Sequence, residues 1–203
     1  MSYDVKIIKK EHYSVSKWSG GETTELYIYP KNSKYKDRNF MWRISSATMD
    51  IEKSIFTHLP GFARELMVTH GKTTLEHEGK YKVTLSPFEK DSFMGDWTTK
   101  SFGRASDFNL MTSEGCSGSL KAFDVKDKIC IEIGNANNEF NVSQYFFYPI
   151  GGGIEIQIKN DKFHVEEKDL FAINYSEGKG IMKVDIINKS KAMVKVINAR
   201  VVK

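Results

Sequence analysis

Cysteine is nearly absent from this chain: Cys116 lies in a Gly/Ser-rich stretch and Cys130 in the strand-like KICIEI, with no CxxC between them. That excludes a disulfide framework and a thiolate metal cluster. No apolar run approaches the ~20 residues of a membrane span. The N-terminal MSYDVKIIKKEHYS carries charges where a secretory signal needs an apolar core, so a soluble, cytoplasmic protein with no membrane partner is expected. No segment of ten or more residues shows apolar positions at helical spacing. The G-x-S-x-G elbow, the P-loop and the dinucleotide fingerprint are missing, and Gly151 to Gly153 reads as a tight turn. None of the five histidines (His12, His58, His70, His77 and His164) forms an HxH pair, so no metal and no cofactor are expected. The net charge of +4 arises from lysines interleaved with 26 acidic residues, a solvated surface without a basic arm, and no nucleic-acid partner is expected.

The sequence offers instead fifteen short strand-like segments, from residues 5–8 to residues 192–196, separated by turn residues every eight to twelve positions. Many short strands mean a sandwich or a barrel. LEHEGKYKVTL (residues 75–85) has a counterpart in IQIKNDKFHVEE (residues 156–167). Each copy follows glycine and leads into Lys-Asp-x-Phe, with offsets of 82 residues at Lys80/Lys162 and 78 at Asp91/Asp169. This is the pattern of a duplicated β-barrel. The small-residue stretch at 113–119 is the natural seam, giving one domain over residues 1–114 and another over 115–203.

Arginine is rare, five of thirty basic residues, and two of the five fall in residues 40–71 inside strand-like segments. Alternation from Phe40 to Ala47 puts Arg43 on the face of Met41 and Ser45. Arg64 shares parity with Phe62, Leu66 and Val68. A buried guanidinium needs a carboxylate, from the protein or from a ligand, and the sequence allows either. Arg43, beside Ser45, is expected to be the arginine left free for an anion, and Arg64 to have a mixed role. Nearby, Gly20 and Gly21 permit a sharp turn after Trp18, and Thr23 and Glu25 share a strand face. Asp96 and Asp107 lie beside strand-forming apolar residues.

Taken together, WSGGETTEL, FMWRIS, HLPGFARELMVTHG, FMGDW and DFNLM closely resemble, in order and spacing, the HutD/Ves family of double cupins. The match covers roughly the first 112 residues. The resemblance implies an all-β double cupin, two jelly-roll barrels in one chain. It also implies that Trp18, Gly20, Gly21, Thr23, Glu25, Arg43, Ser45, Arg64, Asp96, Asp107 and Asn109 gather around the first barrel's pocket. Members are linked to histidine utilisation, with formylglutamate- or urocanate-like ligands, and others to stress responses. Thr24 stands where many HutD members have arginine, and Ser113-Glu114 where they have basic residues. Both departures lean toward the Ves-like branch. The function expected is binding of a small anionic metabolite, regulatory or sequestering. The alternative is a metal-independent isomerase or lyase acting on a small carboxylate, with Glu25, Asp96 and Asp107 as acid/base groups. A homo-oligomer is compatible with the sequence.

Overall fold

Short alternating segments cannot bury two faces at once, so they assemble edge to edge and curl into closed layers. A computed structural model describes residues 2–135, 142–176 and 180–203. Its strands are β1 (Ser2–Ile8), β2 (Ser14–Trp18), β3 (Gly21–Tyr29), β4 (Trp42–Met49), β5 (Lys53–Ile55), β6 (Phe62–Gly71), β7 (Thr73–His77), β8 (Tyr81–Leu85), β9 (Lys90–Met94), β10 (Thr99–Phe102) and β11 (Ala105–Ser113). The second half adds β12 (Ser117–Val125), β13 (Lys128–Asn135), β14 (Val142–Ile150), β15 (Ile154–Ile158), β16 (Asp161–Val165), β17 (Leu170–Ser176), β18 (Gly180–Asn188) and β19 (Val194–Val202). Short 3-10 turns occupy Lys10–His12 and Tyr35–Asp37. Among the described residues no helix is long and apolar enough to cross a membrane.

The chain forms two jelly-roll barrels, the double cupin expected. One, residues 13–120, has sheets ordered β2-β3-β4-β11-β6-β9 and β5-β10-β7-β8. In the other the sheets run β1-β17-β14-β19-β12 and β13-β18-β15-β16. Removing the extra edge strands leaves the same order twice: β4-β11-β6-β9 matches β12-β19-β14-β17, and β5-β10-β7-β8 matches β13-β18-β15-β16. The Lys-aromatic-x-Val and Lys-Asp-x-Phe elements fall on β8/β16 and β9/β17, as the repeat requires.

The expected boundaries at 1–114 and 115–203 are corrected. Residues 1–12 belong with 121–203, and the first unit runs from Tyr13 to Leu120. The reason is pairing: β1 lies antiparallel to β17 from Ser2↔Ser176 to Ile8↔Leu170, and Tyr3, Val5 and Ile7 pack against the second barrel's core. Buried Asp169 fixes this arrangement, accepting from Lys9 Nζ at 2.7 Å and from the Lys10 backbone N–H at 3.0 Å.

Strand register shows how differently the two interiors are filled. In the first barrel Arg64 of β6 lies between Met111 of β11 and Phe93 of β9. In the second, Phe147 of β14 lies between Asn198 of β19 and Phe171 of β17. Phe93 and Phe171 are the equivalent positions of the repeat, so Phe147 stands where Arg64 stands. By the same registers Val196 replaces Asn109. Phe147, Val194 and Val196 belong to a continuous apolar cluster with Ile154, Ile156, Val184 and Ile186. The first interior is instead split into one cluster around Leu66, Val68, Leu75 and Phe93 and another around Phe40, Leu59, Phe62 and Met111. Arg64 lies on β6 between Phe62 and Leu66, which belong to different clusters. Phe40 was expected on the face of Trp42. It joins Phe62 and Met111 because β4 begins only at Trp42 and the alternation does not extend back through Met41.

Asp169→Ala removes the acceptors of Lys9 Nζ and of the Lys10 backbone N–H. It is expected to cost about 1.5–3 kcal/mol, a typical value for hydrogen bonds to a charged group. Chemical denaturation measures this, and an unchanged midpoint would show that strand pairing and core packing hold β1 without Asp169.

Candidate functional site

The first barrel holds a cavity of about 330 Å³ that opens to solvent. Its floor is the larger sheet. Because Trp42 and Ile44 take the opposite face of β4, Arg43, Ser45, Ala47 and Met49 point into the cavity. β11 sets Met111 across from Arg43, Asn109 across from Ser45 and Asp107 across from Ala47. β6 places Arg64 beyond Met111. Thr23 of β3 pairs with Ala47, and Ser16 of β2 with Thr23. The remaining wall comes from Ser54 and Ile55 of β5, from Phe56 and Thr57 after it, and from Tyr35. Trp18 and Ile55 form the rim and stay partly exposed.

The two arginines, both 5% exposed or less, have opposite circumstances. Arg43 is neutralised: its Nε donates to Glu25 Oε2 at 2.7 Å and its Nη1 to Ser45 Oγ at 3.1 Å, with the Tyr35 ring 4.4 Å from the guanidinium carbon. Arg64 makes no ion pair among the described residues. Its Nη2 donates to the Thr57 carbonyl at 2.7 Å, and the Phe56 and Phe93 rings lie 5.7 and 5.9 Å away. Its Nε is buried with no hydrogen-bond partner. Burial pulls its pKa below the ordinary arginine value, Tyr35 and Asp107 oppose that shift, and Arg43 adds to it. The expectation that Arg43 is the free arginine is therefore reversed. Glu25 faces Ser45 in register, which brings its carboxylate onto Arg43, two residues away, and no carboxylate among the described residues forms an ion pair with Arg64.

Asp107 and Asn109 complete the polar set. Asp107 is 4% exposed and its pKa is pushed up to about 7, chiefly by burial, against a backbone hydrogen bond from Ala47 and the attraction of Arg64 and Arg43. Its Oδ1 and the Oδ1 of Asn109 are both buried without a partner. Three unsatisfied polar atoms thus belong to residues lining one cavity: a guanidinium donor and two acceptors. Native proteins seldom leave such groups unmet unless something is to meet them.

Of the expected site residues, the structure brings together Trp18, Thr23, Arg43, Ser45, Arg64, Asp107 and Asn109 on the cavity wall, with Glu25 behind Arg43. Gly20 and Gly21 do not line it. A Cβ on Gly20 would lie 2.2 Å from the Trp18 ring, and one on Gly21, at φ +151°, would lie 1.9 Å from the Thr48 carbonyl oxygen. These glycines seat Trp18 and bring β3 against β4. Asp96 is corrected: Gly95 is held between Leu59 and Phe62 by backbone hydrogen bonds, which leaves Asp96 exposed in the turn beyond. Met49 and Met111 were readable as same-face neighbours of Arg43 and Asp107. Tyr35 and Phe56 come from a loop and from the segment after a three-residue strand, and no periodicity marks them.

The model of the HutD family matches residues 10–193. No curated protein matches the chain. Among solved structures, a conserved protein of unknown function, PA5104 from Pseudomonas aeruginosa PAO1, superposes with a TM-score of 0.81 at 19% identity, covering 98% of each chain. HutD from Pseudomonas fluorescens SBW25, in a formate condition, gives 0.66 at 18% identity, covering 97% of this chain and 98% of its own. Oxalate decarboxylase from Bacillus subtilis, a protein with Mn(II) centres, gives 0.61 at 7% identity, covering 97% of this chain and 76% of its own. These likenesses establish the fold. They do not transfer a metal: the cavity wall carries two guanidiniums and no histidine. Among the described residues no group of three His, Cys, Asp or Glu side chains could hold one. Buried His77 is instead taken up by Thr99 and Asp91, at 2.9 and 2.8 Å.

The asymmetry of the arginines predicts opposite stability effects. Arg43→Met strands the partly buried Glu25 carboxylate and should cost about 1–3 kcal/mol. Arg64→Met strands no carboxylate and removes a desolvated charge, so it should be neutral or stabilising. Urea unfolding of both variants decides, and equal losses would show that Arg64 also has a structural partner. Asp107 gives a pH signature. Its folded pKa lies above the ordinary 3.8, so the folded state binds more protons between those values, and stability is lost as pH rises from about 4 to about 7. Asp107→Asn should therefore raise the melting temperature at pH 8 and change it little at pH 4. An equal shift at both would assign the effect to something other than ionisation.

Proposed function

The chain belongs to the HutD family over residues 10–193, and on that footing we propose that its first barrel binds a small anionic metabolite and that the protein acts as a regulatory or sequestering binder rather than as a catalyst. The observation that carries this is the Arg64 guanidinium: buried, without an ion pair among the described residues, and with an unmet Nε–H on the same cavity wall as unmet acceptors of Asp107 and Asn109. A carboxylate is the group whose two oxygens match such donors. The cavity volume sits at the lower end of small-molecule sites, ~300–1,000 Å³, which favours a ligand of metabolite size. Phe56, Ile55, Met49 and Met111 supply apolar walls for its carbon skeleton. Formylglutamate- and urocanate-like acids fit this description, as would a place in histidine utilisation or in a stress response. The second barrel, with Phe147 and Val196 at the positions of Arg64 and Asn109, contributes no such site in this reading.

A second reading, a metal-independent isomerase or lyase, draws on Asp107 alone, whose pKa near neutrality suits general acid–base work. The two readings part on the fate of the ligand. A ligand that binds only the folded protein stabilises it by ~2.7 kcal/mol at a hundredfold excess over Kd. For a domain of this size that is a melting shift of several degrees, at ~2–4 °C per kcal/mol. A thermal-shift screen of mono- and dicarboxylates, N-formylglutamate and urocanate included, should yield at least one stabiliser that is recovered unchanged. Recovery of a converted product favours the enzyme, and a screen without any stabiliser counts against both.

A further inference from the structure

Asp107 has a second part to play in the cavity. Its strand is central, flanked by β4 and β6, so it pairs with Ala47 on one side and with Val68 on the other and has no route to solvent along a sheet edge. Its Oδ1 has no donor, and on the same face, two residues on, the Oδ1 of Asn109 has none either. Neither guanidinium bonds to it: Arg43 is held by Glu25 and Ser45, Arg64 by the Thr57 carbonyl, and Asp107 makes no ion pair among the described residues. A carboxylate entering the cavity to meet Arg64 brings a second negative charge against the buried carboxyl of Asp107, which lines the same wall. Two carboxyl groups in such a place do not both stay ionised, and the stable arrangement shares a proton between them.

We infer that Asp107 holds a proton whenever a carboxylate occupies the cavity, so that the site takes up the anion together with one proton from solvent and grips it by an O–H donated from Asp107 as well as by Arg64. The inference rests on the anion-binding reading above. The only bond made is the O–H of Asp107, and the proton comes from the buffer. Burial already brings the free carboxyl to about 7, so the exchange falls within an ordinary working range, and a bound anion raises it further. The other charged or titratable groups of the wall are Arg43 from β4, Arg64 from β6 and Tyr35 over Arg43, with Glu25 of β3 bound behind Arg43. Guanidinium groups do not titrate near neutrality, and no histidine lines the cavity. A pH dependence of binding between 6 and 8 therefore reports on Asp107.

Titration calorimetry of the full-length protein with N-formyl-L-glutamate and with formate tests this, since neither compound titrates between pH 6 and 8. Each is measured at both pH values in two buffers of different ionisation enthalpy. Binding should be about tenfold weaker at pH 8 than at pH 6, as linkage to a carboxyl near 7 requires, with close to one proton taken up at pH 8. Asp107→Asn, which keeps a donor in place without ionising, should bind equally at both pH values. Equal affinities with no buffer dependence, or a variant that keeps the tenfold change, overturn the inference and leave the anion site standing. Failure of both compounds to bind the unmodified protein at either pH removes the anion-binding reading and this inference with it. The proton count on the unmodified protein decides even where the variant does not fold.

Discussion

Arg64, a buried guanidinium with no ion pair among the described residues, governs how the first barrel is filled. Leaving Arg64 desolvated costs several kcal/mol that the fold must find elsewhere, and the surrounding residues reduce that cost without removing it. The Thr57 carbonyl accepts one donor, and the faces of Phe56 and Phe93 lie near the charge. Glu25 cancels the second guanidinium, Arg43, so that two uncompensated positive charges do not share one sheet face. What is left over is one cation with an open donor beside two open acceptors. On the proposed reading, that unmet bonding is met by an anion with a hydrogen-bonding edge, held against apolar walls.

The duplication supplies an internal comparison. The same strand order, with the same hairpin and the same Lys-Asp-x-Phe entry, builds a second barrel whose interior is Phe147, Val194 and Val196 in an unbroken apolar cluster. The topology of the barrel thus does not demand a charge at the Arg64 position, because a phenylalanine fills its counterpart with good packing. An arginine is retained in one copy although the fold is satisfied by an aromatic in the other. The comparison supports the proposed role in binding, since the barrel's architecture does not require the guanidinium. Asp91 and Asp169 make the complementary point. They occupy equivalent places and are both satisfied by structural partners, His77 and Tyr81 in one barrel and the N-terminal Lys9-Lys10 strap in the other. Those carboxylates serve the fold.

Much of this was legible in the residues. Alternation around Arg64 placed a guanidinium among Phe62, Leu66 and Val68, and the repeat announced two barrels before any pairing was known. Which arginine is neutralised was not legible, since that depends on Glu25 lying across from Ser45, a register set beside an irregularity between Glu25 and Tyr27. The edge strand β2 escaped notice because all five of its residues are exposed and show no alternation, and β5 is only three residues long. The strand character of residues 5–8 was plain, but not its partner: Ile7 pairs with Phe171, and nothing local identifies a partner so distant in sequence. Asp96 misled because a carboxylate after a strand looks the same whether its turn faces a cavity or water.

On the proposed reading Arg64, and not Arg43, anchors the anion. Equilibrium dialysis of radiolabelled N-formylglutamate at pH 6 against the unmodified protein, Arg64→Met and Arg43→Met tests it most directly. Retention by the unmodified protein, loss of most of it in Arg64→Met and a smaller loss in Arg43→Met are expected. Full retention by Arg64→Met would contradict that reading.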